Sequence, residues 1–151
     1  IALAALGTAL AAAPAAAQGS ATASATATTR IVAPITLTKN TDLAFGTVVR
    51  SANANSNTVT VNETTGARTI TGTGTGALVT STSGRATYTV GGEGGQTFSI
   101  TVPASVTMTS GANNLVVTLT GTATSGTLSG SIGSAGTATF GVGGNFTLAQ
   151  S

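Results

Sequence analysis

Acid–base and nucleophilic chemistry need titratable side chains held close together, and this chain has few to hold. Its 151 residues contain three carboxylates, Asp42, Glu63 and Glu93, one lysine, Lys39, and neither His nor Cys. Without His there is no imidazole to serve as a base near neutral pH or as a zinc ligand. Without Cys there is no disulfide framework and no thiol chemistry. The three acids are far apart in sequence, and Glu63 and Glu93 sit beside loop-forming residues, so a glycosidase-like carboxylate pair has few combinations to draw on. A Ser–Lys dyad would have to use Lys39, whose neighbours Thr38, Asn40 and Thr41 mark a solvated turn. The expectation is a non-enzyme with no catalytic, cofactor-binding or metal-binding residues.

Two glycine-rich stretches could bind phosphate in another setting. Gly72-Thr73-Gly74-Thr75-Gly76-Ala77 matches the G-x-G-x-x-A form of the dinucleotide fingerprint. That chemistry needs a helix N-terminus after the glycines to face the pyrophosphate, and here the strand-like Leu78-Val79-Thr80 follows. Gly91 to Gly95 has no Lys-Ser/Thr behind it, so it is no P-loop. Asn62-Glu63-Thr64 and Asn145-Phe146-Thr147 fit the glycosylation sequon, a short pattern common by chance.

The elements around these residues must be β-strands. Only 5% of the residues are charged, and Thr is the commonest side chain. Solubility therefore rests on hydroxyls and backbone, which suits a β surface, because the branched Thr side chain packs its methyl and turns its hydroxyl to water. Net charge is +2, and Arg30, Lys39, Arg50, Arg68 and Arg85 are scattered, so no stripe forms to track a phosphate backbone and no nucleic-acid partner is expected. One domain is the natural count for this length.

Ile1 to Ala13 is apolar and uncharged, and Pro14 with Ala15-Ala16-Ala17 supplies an A-x-A site. This reads as a signal peptide over residues 1–17 that lacks its first residues, with cleavage leaving Gln18 as the new N-terminus. It is too short to span a membrane. From Gln18 onward no helical period occurs, and short alternating runs are broken by Gly, Asn and Ser. Strands are expected at Leu43–Val49, Thr58–Val61, Arg68–Ile70, Arg85–Val90, Thr97–Val102, Leu115–Leu119, Thr137–Val142 and Asn145–Leu148, with short pieces at Val106–Met108 and Thr127–Leu128. Turns are expected at Asn62–Gly66, Gly91–Gly95 and Ser110–Asn114. Phe45, Tyr88, Phe98, Ile100, Val102, Leu115, Val117, Leu119 and Phe140 form the expected core. Turn signals about every ten residues are the pattern of a sandwich or barrel.

One run stands apart. From Ala21 to Leu37 the odd positions are Ala21, Ala23, Ala25, Ala27, Thr29, Ile31, Ala33, Ile35 and Leu37, so a single mostly apolar parity persists throughout. Fully extended, it would reach roughly 55 Å, against about 17–20 Å for an ordinary strand. Either its first half is an Ala/Thr tail, or it pairs with something outside its own domain. Pro34, lacking an amide donor, belongs at an edge or a bulge.

Arg30-Ile31-Val32-Ala33-Pro34-Ile35-Thr36-Leu37, followed by Asp42-Leu43-Ala44-Phe45-Gly46-Thr47-Val48-Val49, resembles the start of domain-of-unknown-function family 4402, small secreted proteins of Gram-negative bacteria. Val59-Thr60-Val61-Asn62, Gly66-Ala67-Arg68-Thr69, Ala86-Thr87-Tyr88-Thr89-Val90, Gly95 to Pro103 and Gly141-Val142-Gly143-Gly144 continue the resemblance in order. It implies an all-β, Ig-like antiparallel β-sandwich over residues 30–151, similar to fimbrial and spore-coat-protein-U-like pilin subunits, which a periplasmic chaperone and an outer-membrane usher handle. It also implies a further Gly-Thr-Tyr-rich last strand, missing here, so the sandwich domain reads as C-terminally truncated.

The expected function is a non-catalytic structural subunit of a bacterial surface fibre, exported through the periplasm and assembled by strand donation. Residues 18–29 would be the extension and possible donor strand. Self-association is assigned to Ala21, Ala23, Ala25, Ala27, Ile31, Ile35 and Leu37. The alternative is a monomeric cell-surface module binding carbohydrate or acting in adhesion. That would call for an aromatic platform, yet Tyr88 and the four Phe fall at inward parity.

Overall fold

The computed structural model describes residues 22–110 and 113–149. Two units separate at Arg30/Ile31. In the first, residues 22–30 are exposed and form no strand. Among its described residues the second holds eleven strands: β1 Thr36–Thr41, β2 Val48–Val49, β3 Asn57–Val61, β4 Arg68–Gly72, β5 Ala77–Leu78, β6 Ala86–Glu93, β7 Thr97–Ser99, β8 Ser105–Ser110, β9 Asn113–Gly121, β10 Ser125–Thr127 and β11 Ala135–Leu148. All pairings among them are antiparallel, and no helix occurs among the described residues.

The 14-residue β11 organises the molecule. Its first half, Ala135–Val142, pairs with β6, and Gly144–Leu148 pairs with β3. Val142 also pairs with Gly121 of β9, and Gly144 with Leu119 of β9. A strand has only two hydrogen-bonding edges, so β6 and β3 succeed one another along the edge opposite β9. These seven strands form one sheet with two arms, β1-β6-β11 and β4-β3-β11-β9-β8, that share β11, while β7–β10 and β2–β5 form two separate pairs. The result is a β-sandwich-like, all-β fold with two apolar clusters. Ala86, Val90, Leu128, Phe140 and Val142 form one, and Val59, Val117 and Phe146 the other; half-buried Leu119 packs against both.

Several strands form where alternation points. In β3, Val59 and Val61 are buried while Thr58 and Thr60 lie between them half-exposed. The β3–β4 turn runs through Asn62, whose side-chain Oδ1 accepts from the amides of Thr64 (2.9 Å) and Thr65 (2.8 Å), and Gly66 supplies the positive φ of 75° that closes it. Outward positions align as hydroxyl rows: Thr38, Thr89 and Thr139 are cross-strand neighbours, and so are Thr69, Thr60, Asn145, Thr118 and Ser105. These rows take the place of surface charge.

Six sequence expectations need correction. Thr38–Thr41, read as a solvated turn, lies within β1, and of the expected strand Thr97–Val102 only Thr97–Ser99 pairs, as β7. Leu43–Val49 is not one strand: only Val48–Val49 pairs, with β5, and Ala44 makes an isolated bridge to Gly84. Gly46 breaks the run at φ 65°, and the Arg68 guanidinium takes the carbonyls of Phe45 (2.7 Å) and Thr47 (3.2 Å), so a side chain occupies acceptors that a sheet would use. Thr137–Val142 and Asn145–Leu148 are one strand, because Gly143 and Gly144 stay extended. The Gly91–Gly95 turn starts later: β6 runs to Glu93, and β7 then pairs with β10 instead of β6. Val106–Met108 is the middle of a full strand, β8, paired with β9.

All nine residues of the expected core belong to the two clusters or pack against them. Val117 and Phe140 are buried; Phe45, Tyr88, Phe98, Ile100, Val102, Leu115 and Leu119 are half-buried and pack against the clusters. Leu128, at 2% exposure, was missed because its segment is short and shows no alternation.

Arg68 also donates to the Val79 carbonyl at 2.7 Å, so one guanidinium binds the β2–β5 pair to β4. Arg68→Ala is expected to cost about 1.5–3 kcal/mol, the range for hydrogen bonds to a charged group. Urea unfolding gives the loss. Hydrogen exchange should show faster exchange at Val79, whose amide bonds the Thr47 carbonyl, than in β3. Equal acceleration everywhere would contradict a local clamp.

Candidate functional site

The few chemical groups are spent on architecture. Asp42 pairs with Lys39 at 2.5 Å on the surface, and this hydrogen bond, then the charge of Asp42, raises the lysine above its ordinary pKa. Glu93 accepts from the backbone amide of Gly133 and, at 3.4 Å, from that of Ala33, tying the approach to β1 to the β10–β11 loop. Arg85 donates to the carbonyls of Glu63 (2.8 Å) and Thr64 in the β3–β4 turn. Among the described residues no three of His, Cys, Asp and Glu cluster as metal ligands would.

The dinucleotide-like glycines have a structural cause. Asn57, 4% exposed, donates to the carbonyls of Thr71 (3.3 Å) and Gly74 (3.2 Å) and accepts the Gly76 amide at 2.9 Å. A Cβ on Gly74 or Gly76 would lie 2.3 or 2.6 Å from the Asn57 Oδ1. Residues 72–76 thus wrap a buried amide, and the glycines make room for it.

An apolar groove of about 590 Å³ lies on the inner face of the β1-β6-β11 arm of the sheet. Its floor is made of alternate residues: Ile35 and Leu37, Tyr88 and Val90, Phe140 and Val142. Tyr88 and Phe140 are cross-strand neighbours with rings stacked at 5.1 Å and 14°. One wall is the continuous segment Thr97–Pro103, every residue of which lines the groove. Alternate residues present the face of a sheet, whereas consecutive ones present a backbone edge. Among the described residues β7 pairs only with β10. The groove is thus an apolar floor beside a strand with one free edge.

The structure divides the seven candidate self-association residues. Ile35 and Leu37 line the groove of their own chain at 54% and 63% exposure. Ile31 is 90% exposed, and Ala23, Ala25 and Ala27 lie exposed in the stretch without strand. Ala21 falls outside the described residues, as does the segment read as a signal peptide. Sequence reasoning found Phe98, Ile100 and Val102 as inward but missed the free edge of their segment; partnering is non-local, and only the Thr interleaving at Thr97, Ser99 and Thr101 hinted at it. No outward aromatic platform forms: Phe45 meets Phe146 edge-on at 4.8 Å, and Phe98 lines the groove.

Fold and groove define a small antiparallel β-sandwich-like protein whose titratable groups serve its loops. Residues 35–151 match the family model described as Domain of unknown function (DUF4402), and the chain belongs to that family. No curated protein and no solved structure matches it.

Proposed function

We propose that this chain is a non-catalytic structural subunit of a bacterial cell-surface fibre, exported to the periplasm and assembled by strand donation, with a chaperone and an outer-membrane usher as partners. The observation that carries the reading is the stretch ahead of β1. Residues 22–35 are exposed and, among the described residues, take part in no strand pairing, the Ala33 amide bonding the Glu93 carboxylate instead; they keep one apolar parity up to the edge strand β1. Such a segment gains backbone hydrogen bonds only when another sheet offers an edge. The paucity of charge and the hydroxyl-covered faces suit a packing subunit.

Two experiments test it on the complete gene product. Protein recovered from the periplasm or cell surface should begin at or near Gln18 by N-terminal sequencing; a retained Ile1–Ala17 segment would contradict export by cleavage. With chaperone and usher supplied, the protein should form polymers. Deletion of Gln18–Thr29 should abolish them while leaving a folded subunit, and Ile31→Asp should weaken them by burying an unpaired carboxylate. A protein that stays monomeric at high concentration, indifferent to the deletion, would defeat the proposal.

A further inference from the structure

We infer that the groove between the β1-β6-β11 floor and the Thr97–Pro103 edge is the acceptor for residues 25–31 of a second copy of this chain. The inference rests on the strand-donation reading and names its second half, the receiving surface. Three observations lead to it. The groove has the parts of a strand site, since an apolar face forms its floor and the unpaired edge of β7 and its continuation forms its wall. Open apolar grooves of this kind mark interaction surfaces. The wall is seven residues long, from Thr97 to Pro103, and pairs in length with a seven-residue donor, about 23 Å of extended chain.

The occupant follows from what the chain leaves unpaired. Ile31 is 90% exposed at the end of an exposed stretch that forms no strand, while Ile35 and Leu37 already stand in the floor of their own groove. Side chains of 25, 27, 29 and 31 fall on one face of a donor strand. Three of them, Ala25, Ala27 and Thr29, are small. Phe98, Tyr88 and Phe140 already project into the groove, so small side chains fit over the rings and Ile31 supplies the one large plug. The wall carries no charge, and the one charged donor residue, Arg30, falls at even parity on the face turned away from the groove floor, so insertion buries no unpaired ion.

The chain has no Cys, which makes cross-linking clean. In the complete gene product, Thr28→Cys or Arg30→Cys, on the outward face of the donor, is combined with Ser99→Cys or Thr101→Cys, the outward positions of the wall, and assembled protein is treated with copper phenanthroline. At least one donor–wall pair should yield a ladder of covalent multimers that dithiothreitol collapses. The same donor cysteines paired with Thr69→Cys on the far strand β4 should yield none. If electron microscopy shows polymers but the donor–wall pairs give no ladder, or the ladder appears only with Thr69→Cys, the acceptor inference falls and strand donation to another surface stands. If no variant and no parent protein assembles, both fall together.

Discussion

Gly143→Ala should unfold the protein far more readily than an alanine substitution at an open glycine. A Cβ at residue 143 would lie 2.3 Å from the Val61 carbonyl oxygen, 2.5 Å from the Glu63 nitrogen and 2.8 Å from the Glu63 Cα. All three are backbone atoms, one at the end of β3 and two in the turn that follows it, so no side chain can swing away. Gly143 sits between the stretch of β11 that pairs with β6 and the stretch that pairs with β3. Relief would require moving β3 off β11. Overpacking of a core costs about 1–3 kcal/mol and occasionally more, and a backbone clash at a strand junction belongs at the upper end, about 3 kcal/mol or above. Gly84 is the control: nothing lies within 4 Å of its Cβ position and its φ is not positive. Gly84→Ala should stay within about 0.5 kcal/mol, the range of surface substitutions. Urea midpoints of the two variants decide the matter; equal values would mean that the junction can open without loss.

Phe146→Ala should cost about 3–5 kcal/mol. The ring is 6% exposed, packs with Val59 and Val117, and meets Phe45 edge-on at 4.8 Å, so truncation removes both burial and the aromatic contact. Phe98→Ala should cost less, under about 2 kcal/mol, because that side chain is only half-buried and borders the open groove. The order of the two is the test. A Phe98 loss as large as that of Phe146 would mean the groove is closed in solution by the chain itself.

The outward threonines bear on both experiments. Thr38 and Thr139 touch neither cluster nor groove, whereas the Thr89 hydroxyl accepts from the Asn40 side-chain amide at 2.9 Å. Thr38 and Thr139 therefore offer positions at which to introduce labels.

Much of this protein follows from local pattern. Period-two alternation marked the class as all-β, put Ala86, Tyr88 and Val90 on one face of β6, and put Leu115, Val117 and Leu119 on one face of β9; turn chemistry at Asn62–Gly66 marked the β3–β4 hairpin. These features are local because a side-chain face and a tight turn depend on residues a few positions apart. Partner choice does not. An extended backbone can bond any free edge, so sequence alone left open that β7 would turn from β6 to β10, and that β11 would pass unbroken through Gly143-Gly144 to serve both arms of one sheet. Nor could it show that the Arg68 side chain would take the carbonyls of Phe45 and Thr47 and so end a run that alternation favours. The glycines at 72–76 looked like a phosphate loop until the amide of Asn57 was found inside them. The groove belongs to the same category, because its floor comes from three strands distant in sequence and its wall from a fourth segment, and only their packing leaves one strand edge open beside an apolar face.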